Sequence, residues 1–279
     1  MGKYCDLHTH SIYSDGTYTP DEIIDAAVLS GLSAVALCDH NTIDGLDEFI
    51  QYAEDKKIEA VPGIEFSADY NGVEVHILGL YLPAESYVKV KKRLDSIVKA
   101  KEESNKRLVE SLKRVGYDID YTEVTERYSG AVINRSHIAV ILMERGYVKS
   151  IDEAMKGILS VEGGHYVPPK RFSAMECIDF ITEIGAVSVL AHPFLNLTYE
   201  AMRKFLSEGK KHGLCGMECE YSTYDEETRS SAYALSDEFR LMKSGGSDFH
   251  GARKPDIALG IGKGNLKVPF LWAEAMKNK

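Results

Sequence analysis

The run CDLHTHSIYSDGTYTP, Cys5 to Pro20, places two histidines and an aspartate within eight positions, directly behind a short apolar start. Tyr4 to His8 reads as a strand. Thr19, Pro20 and Glu22 then form a capping box with proline at the first helical position, which opens a helix that Gly31 closes. His8 and His10 are two apart on an extended chain, so their imidazoles point the same way and can grip one ion. A strand that delivers such side chains at its end and runs on into a helix is the first half of a βα repeat.

The repeat continues downstream. Residues 32–40, LSAVALCDH, read as a buried strand, and Leu46, Phe49, Ile50 and Ala53 fall at helical spacing. IEAVPGIE (58–65) is a third strand and VEVHILGLYL (73–82) a fourth. The pattern resumes at Ser173, where Ser173 and Glu176 make another capping box and Gly185 ends the helix. Strands follow at AVSVLAH (186–192), GLCGMECE (213–220) and RLMKSGGSD (240–248), with helices near 198–212 and 225–239 between them. The expectation is an α/β fold of about seven strands.

Between the halves the texture is helical. Residues 84–115 read as one long helix, with Val88, Leu94, Ile97, Val98, Leu108 and Leu112 on its apolar side and its many lysines and arginines on a solvated face. Further helices are expected at Arg135–Glu144 and from Ile151, behind a Ser150/Glu153 capping box, with no strands. The expected division is a first barrel part over 1–99, a helical insertion over 100–170 and a second barrel part over 171–279.

With 279 residues, 44% of them hydrophobic, the chain can fill a sizeable core. A net charge of −10 argues against a broad basic face for duplex DNA or an anionic membrane, although bound cations can reverse the sign of a pocket. Five cysteines without a CxxC pair, and the lack of a basic-then-apolar leader, lead us to expect a protein of the reducing cytoplasm. No stretch approaches the ~20 apolar residues that span a bilayer. Met1-Gly2 does not open an acylation signal, because Asp6 stands where serine or threonine is required. GKGNLK (262–267) lacks the spacing of a phosphate loop and reads as a turn.

The strands share a polar pattern. At or near their ends stand His8 and His10, Asp39 and His40, Glu65, His192, Glu218 and Glu220, and Asp248 and His250; only His76 sits in mid-run. In a parallel barrel such ends converge on one face, where these enzymes do their chemistry. The set is imidazole and carboxylate without thiolate, which suits catalytic zinc, manganese or iron that retains water. His8, His10, Asp15, His40, Glu65, His76, His192, Asp248 and His250 are nine candidates, too many for one ion, so two or three divalent metals are expected.

Here the sequence resembles the polymerase-and-histidinol-phosphatase (PHP) superfamily of metal-dependent phosphoesterases, through DLHTHSIYSDG, ALCDHNTIDGL, VPGIEFSA, VEVHILGLYL, VLAHPF and GGSDFHG in order. The fold implied is a distorted seven-stranded (βα) TIM-like barrel with a helical insertion domain. Within the superfamily the chain is similar to the branch that removes phosphate from nucleoside 3′,5′-bisphosphates or trims short RNA from its 5′ end. Asp15, where other branches use histidine, and NRSHIA in the insertion carry that likeness; Ser136 replaces the branch's usual proline.

Position by position, the resemblance implies His8, His10, Glu65 and Asp248 on a first metal. Glu65, His76 and His192 would hold a second, with Glu65 bridging, and Asp15, His40 and His250 a third. Glu65, His192 and Asp248 would be catalytic, and Asp39 would orient a metal-bound histidine. Paired ions can activate water and stabilise the leaving oxygen, so hydrolysis of a phosphate ester needs no protein nucleophile. Arg135, His137 and Lys170 are the candidates for contact with a small phosphorylated substrate, a nucleotide or short RNA. Three other functions fit parts of the pattern: a histidinol-phosphatase-like phosphomonoesterase, an amidohydrolase-type hydrolase, and a non-catalytic metal-binding domain. The filled ligand positions argue against the last.

Overall fold

The computed structural model describes residues 3–279; Met1 and Gly2, with the acylation pattern weighed there, lie outside them. The first half runs β1 (Tyr4–Thr9), α1 (Pro20–Leu29), β2 (Ala34–Leu37), α2 (Leu46–Ala53), β3 (Glu59–Tyr70) and β4 (Val73–Leu80). The helical stretch follows as α3 (Tyr87–Arg114), α4 (Tyr121–Arg127), α5 (Arg135–Glu144) and α6 (Ile151–Lys156). The second half is β5 (Phe172–Ser173), α7 (Ala174–Glu183), β6 (Val187–Leu190), α8 (Tyr199–Gly209), β7 (Gly216–Tyr221), α9 (Glu226–Glu238), β8 (Met242–Gly246), β9 (Val268–Pro269) and α10 (Phe270–Lys277).

The capping boxes read from sequence open α1 and α7: Thr19 and Ser173 each accept from the backbone three residues on, and Glu22 and Glu176 reach back. The strands pair in the order β8-β7-β6-β4-β3-β2-β1-β9, with β5 attached to β3. Asp248 N donates to His8 O (2.9 Å) and His10 N to Phe249 O (3.0 Å), and these two bonds join the end of β8 to β1. Seven strands thus close a distorted barrel, and β9 adds only to the start of β1.

The barrel departs from a parallel one at a single strand. β4 runs antiparallel to both β3 and β6. No helix joins β3 to β4; they form a hairpin through Asn71 and Gly72, whose φ values of 54° and 83° are those of a tight two-residue turn. The reversal explains the odd position of His76. On a strand running the other way, a residue near its beginning reaches the mouth where its neighbours end.

Leu7, Ala36, Cys38, Val61, Leu78 and Val189 belong to the buried cluster that fills the barrel, which α10 joins with Ala273 and Met276. A second cluster lies between strands and outer helices. α3 enters this one through Val90, Leu94 and Ile97, whereas Val88, expected on the apolar side, is exposed. Its C-terminal half, with Leu108, Val109 and Leu112, joins α4 to α6 in a third cluster. Among the described residues no helix is long and apolar enough to cross a membrane, and all five cysteines are buried free thiols.

Candidate metal centre

Two irregularities aim the side chains at the barrel mouth. β1 slips register against β2 between Asp6 and Thr9, so plain alternation does not hold there, and His8 and His10 turn inward. His192 and Asp248 sit at φ 27° and 56°, in the left-handed region that non-glycine residues seldom occupy and that clusters at functional sites.

Three groups of candidate ligands meet there. His8 Nε2 and His10 Nε2 lie 3.4 and 3.3 Å from Glu65 Oε2, and His10 Nε2 is 3.1 Å from Asp248 Oδ1. His76 Nδ1 and His192 Nε2 stand 2.8 and 3.0 Å from the other oxygen, Glu65 Oε1. Asp15 Oδ1 is 3.4 Å from His250 Nε2 and 3.7 Å from His40 Nε2, while His40 Nδ1 is 2.9 Å from Glu65 Oε2. All nine candidates converge, and Glu65 touches all three groups, His8, His10 and His40 through Oε2 and His76 and His192 through Oε1.

The donors fit cations. His8 Nε2, both ring nitrogens of His10, Asp15 Oδ1, His40 Nδ1 and Glu65 Oε2 are buried without a hydrogen-bond partner. Each such group ordinarily costs about 1–3 kcal/mol, and several in one place are satisfied together by a metal ion. Burial disfavours charged carboxylates, yet His40 and His76 hold Glu65 well below the usual range. His250 and His40 do the same for Asp15, and Lys254 and His250 for Asp248. Burial pushes the Cys38 thiol well up, so no thiolate competes.

Outer contacts fix these ligands. Glu218 Oε1 lies 3.0 Å from His8 Nδ1, and its other oxygen accepts from His192 N at 2.6 Å. Tyr221 Oη and Lys254 Nζ donate to Asp248 Oδ2 at 2.7 and 2.6 Å. Asp39 orients no histidine, contrary to expectation: it accepts from Ser11 N (2.8 Å), from Ser11 Oγ (2.5 Å) and from Ser14 Oγ, and so anchors the loop that carries Asp15. Glu220 faces Tyr233 and Arg229 rather than the ligands.

A cleft of about 750 Å³ opens beside Asp15, His40 and His76, with Lys101, Arg135, Lys170 and Arg171 on its walls. Arg135 stacks over Tyr166 at 4.2 Å and donates to Leu159 O at 2.9 Å. Arg171 donates to Glu74 Oε2 at 2.7 Å. Lys101 donates to Asn134 Oδ1, and burial pushes its ammonium down to about 8. His137 does not line the cleft. Its Nδ1 accepts from Asn134 N at 2.9 Å, its ring packs on Tyr128, and burial holds it neutral, down to about 3.

Lys101, Glu74 and Arg171 escaped the reading from sequence. Lys101 falls four residues after Ile97, on the buried stripe of α3, and Glu74 shares a face of β4 with His76. Those spacings could have found both. Nothing local marks Tyr221 or Lys254 as partners of Asp248.

The sequence pattern of the PHP domain matches residues 6–167. A 5′-3′ exoribonuclease of Haemophilus influenzae is 32% identical over 251 residues, covering 90% of this chain and 91% of the relative. A 3′,5′-nucleoside bisphosphate phosphatase of Chromobacterium violaceum is 28% identical, covering 88% of this chain and 86% of the relative. A solved structure from Bifidobacterium adolescentis, described as a metal-dependent phosphoesterase, superposes with a TM-score of 0.87 at 27% identity, over 98% of this chain and 95% of that one. Barrel, ligand cluster and relatives agree: the chain belongs to the PHP-domain family and is a metal-dependent phosphoesterase.

Proposed function

We propose that the chain removes the 3′-phosphate from nucleoside 3′,5′-bisphosphates, giving a nucleoside 5′-monophosphate and phosphate, and accepts the 5′ ends of short RNA in the same cleft. The observation that carries this reading is the group of cations beside the candidate ligands, two of which, Arg135 and Arg171, share the carboxylate of Glu74. Lys101, Arg135 and Arg171 stand in one cleft with Asp15, His40 and His76, so a second phosphate has partners at the same time as the reacting one. A simple monoester would leave that wall unused.

In this reading His8, His10, Glu65 and Asp248 hold one divalent ion, Glu65, His76 and His192 a second, and Asp15, His40 and His250 a third; manganese, iron and zinc all suit these donors. When bound, the ions supply Lewis acidity and an activated water for in-line displacement at phosphorus. The chain's own part is positioning. Glu218 fixes the His8 ring through Nδ1, and Tyr221 and Lys254 hold Asp248 so that Oδ1 faces His10. Arg135 offers a planar fork that matches a phosphate and is already stacked on Tyr166, so little freedom is lost on binding. Lys170 adds charge at the rim. His137 acts by capping α5 behind Arg135. We take residues 100–170 as the insertion that supplies most of this wall, and the buried free thiols suit a cytoplasmic enzyme.

The test is a panel with manganese: a 3′,5′-bisphosphate, a 5′-phosphorylated oligoribonucleotide, histidinol phosphate and an aryl phosphate, each with the parent chain and Arg135→Ala. Loss of a charge-assisted phosphate contact is worth roughly 1.5–3 kcal/mol, so Arg135→Ala should lower kcat/KM on the bisphosphate about ten- to a hundredfold. Turnover of the aryl phosphate should hardly change. Equal losses on both substrates, or preference for histidinol phosphate, would overturn the assignment.

A further inference from the structure

The turn Asn134–Ser136 serves two structures at once. Asn134 caps α5 and accepts from the Lys101 ammonium, and Arg135 lines the cleft. Ser136 Oγ reaches the other way and donates to Asp15 Oδ2 at 2.8 Å, across 121 residues of sequence. Asp15 is thereby divided. Its Oδ2 is anchored by the helical segment, while its Oδ1, buried without a hydrogen-bond partner, faces His250 Nε2 at 3.4 Å and His40 Nε2 at 3.7 Å. A backbone bond from Val132 N to Tyr13 O (3.0 Å) braces the same junction.

An aspartate carboxylate turns easily about its last torsion, which has broad minima. A hydrogen bond to one oxygen selects which oxygen is presented to a ligand. Ser136 is available for this task because Asn134 and His137 already cap the helix.

We propose that Ser136 is a positioning residue for a cation held by Asp15, His40 and His250, so that the segment binding the second phosphate also sets the affinity of that ion. The proposal rests on the three-ion reading above. Its corollary is reciprocal: whatever steadies the turn from the cleft side tightens the ion, and the ion tightens what the cleft holds by the same factor.

The test needs no turnover. Metal-stripped parent chain, Ser136→Ala and Ser136→Thr are titrated with Mn²⁺ by equilibrium dialysis with metal analysis, and the melting of each stripped protein is recorded. Groups that orient a ligating residue typically contribute about 10- to 100-fold in metal affinity. Ser136→Ala should therefore weaken one class of site by about that factor, leave the others and the melting temperature unchanged, and be rescued by Ser136→Thr. Superimposable isotherms, uniform weakening at every site, or failure of threonine to restore binding would each overturn the proposal. Because binding is read without substrate, a protein that takes up the ions but releases no phosphate from a 3′,5′-bisphosphate would remove the proposed reaction and leave this result standing.

Discussion

Gly246 ends β8 against the bulged part of β1. A Cβ built on it would stand 2.4 Å from His8 Cβ and 2.5 Å from His8 N. Ordinary contact begins about 1 Å further out, and neither atom is the free end of a flexible side chain, so Gly246→Ala must part the two strands by about that distance. Overpacking of this kind costs about 1–3 kcal/mol of stability, and a displacement of about 1 Å at a reacting centre costs about a hundredfold in rate. Gly216→Ala is the control. Its Cβ would meet Met242 O at 2.8 Å, a clash between β7 and β8 at the end of the strands away from His8, Glu218 and Tyr221. Both variants should melt several degrees lower. Only Gly246→Ala should also lose bound metal after dialysis and about a hundredfold in kcat/KM on a 3′,5′-bisphosphate. A Gly246→Ala protein that melts like the control yet keeps its metal and its activity would refute the claim that the approach of β8 sets His8.

Glu65→Gln should reduce metal content and kcat/KM more than His250→Asn does, because Glu65 meets imidazoles of all three groups and His250 belongs to one; equal effects in metal analysis and kinetics would count against a bridging carboxylate. Lys101, pushed down to about 8, is protonated below that pH and neutral above it. A charged contact to phosphate is thus present on the acid side, and kcat/KM on the bisphosphate should fall as pH rises through about 8. Lys101→Arg should carry that limb to higher pH and Lys101→Gln should flatten it at a lower plateau; profiles that do not move would remove Lys101 from substrate binding.

The candidate ligands were legible because chemistry and geometry left marks in the same short runs: His8 and His10 at strand spacing, and Asp248 and His250 likewise. The capping boxes at Thr19 and Ser173 were equally plain, since a cap is a local event. What the strand's own pattern does not carry is its direction. VEVHILGLYL reads the same whichever way it pairs, and the antiparallel setting of β4 follows from a turn, Asn71-Gly72, whose dipeptide is itself a hairpin signal. Lys101 was hidden by company, one half-buried lysine facing the cleft on a helix rich in solvated lysines. Asp39 was misjudged because its partners, Ser11 and Ser14, lie on a different strand's loop, and only tertiary folding brings them together.

Joining β1 to the segment after β8 has a consequence for how the protein is made. His8 and His10 are synthesised well before Asp248 and His250. The third apolar cluster, from Leu108 to Tyr166, draws on one continuous stretch and can assemble earlier. A nascent chain therefore exposes these two imidazoles before Asp248 and His250 exist, and the candidate ligands cannot gather until the segment after β8 docks on β1. A cation held by these candidate ligands would therefore favour the closed barrel over a chain in which β8 has not docked.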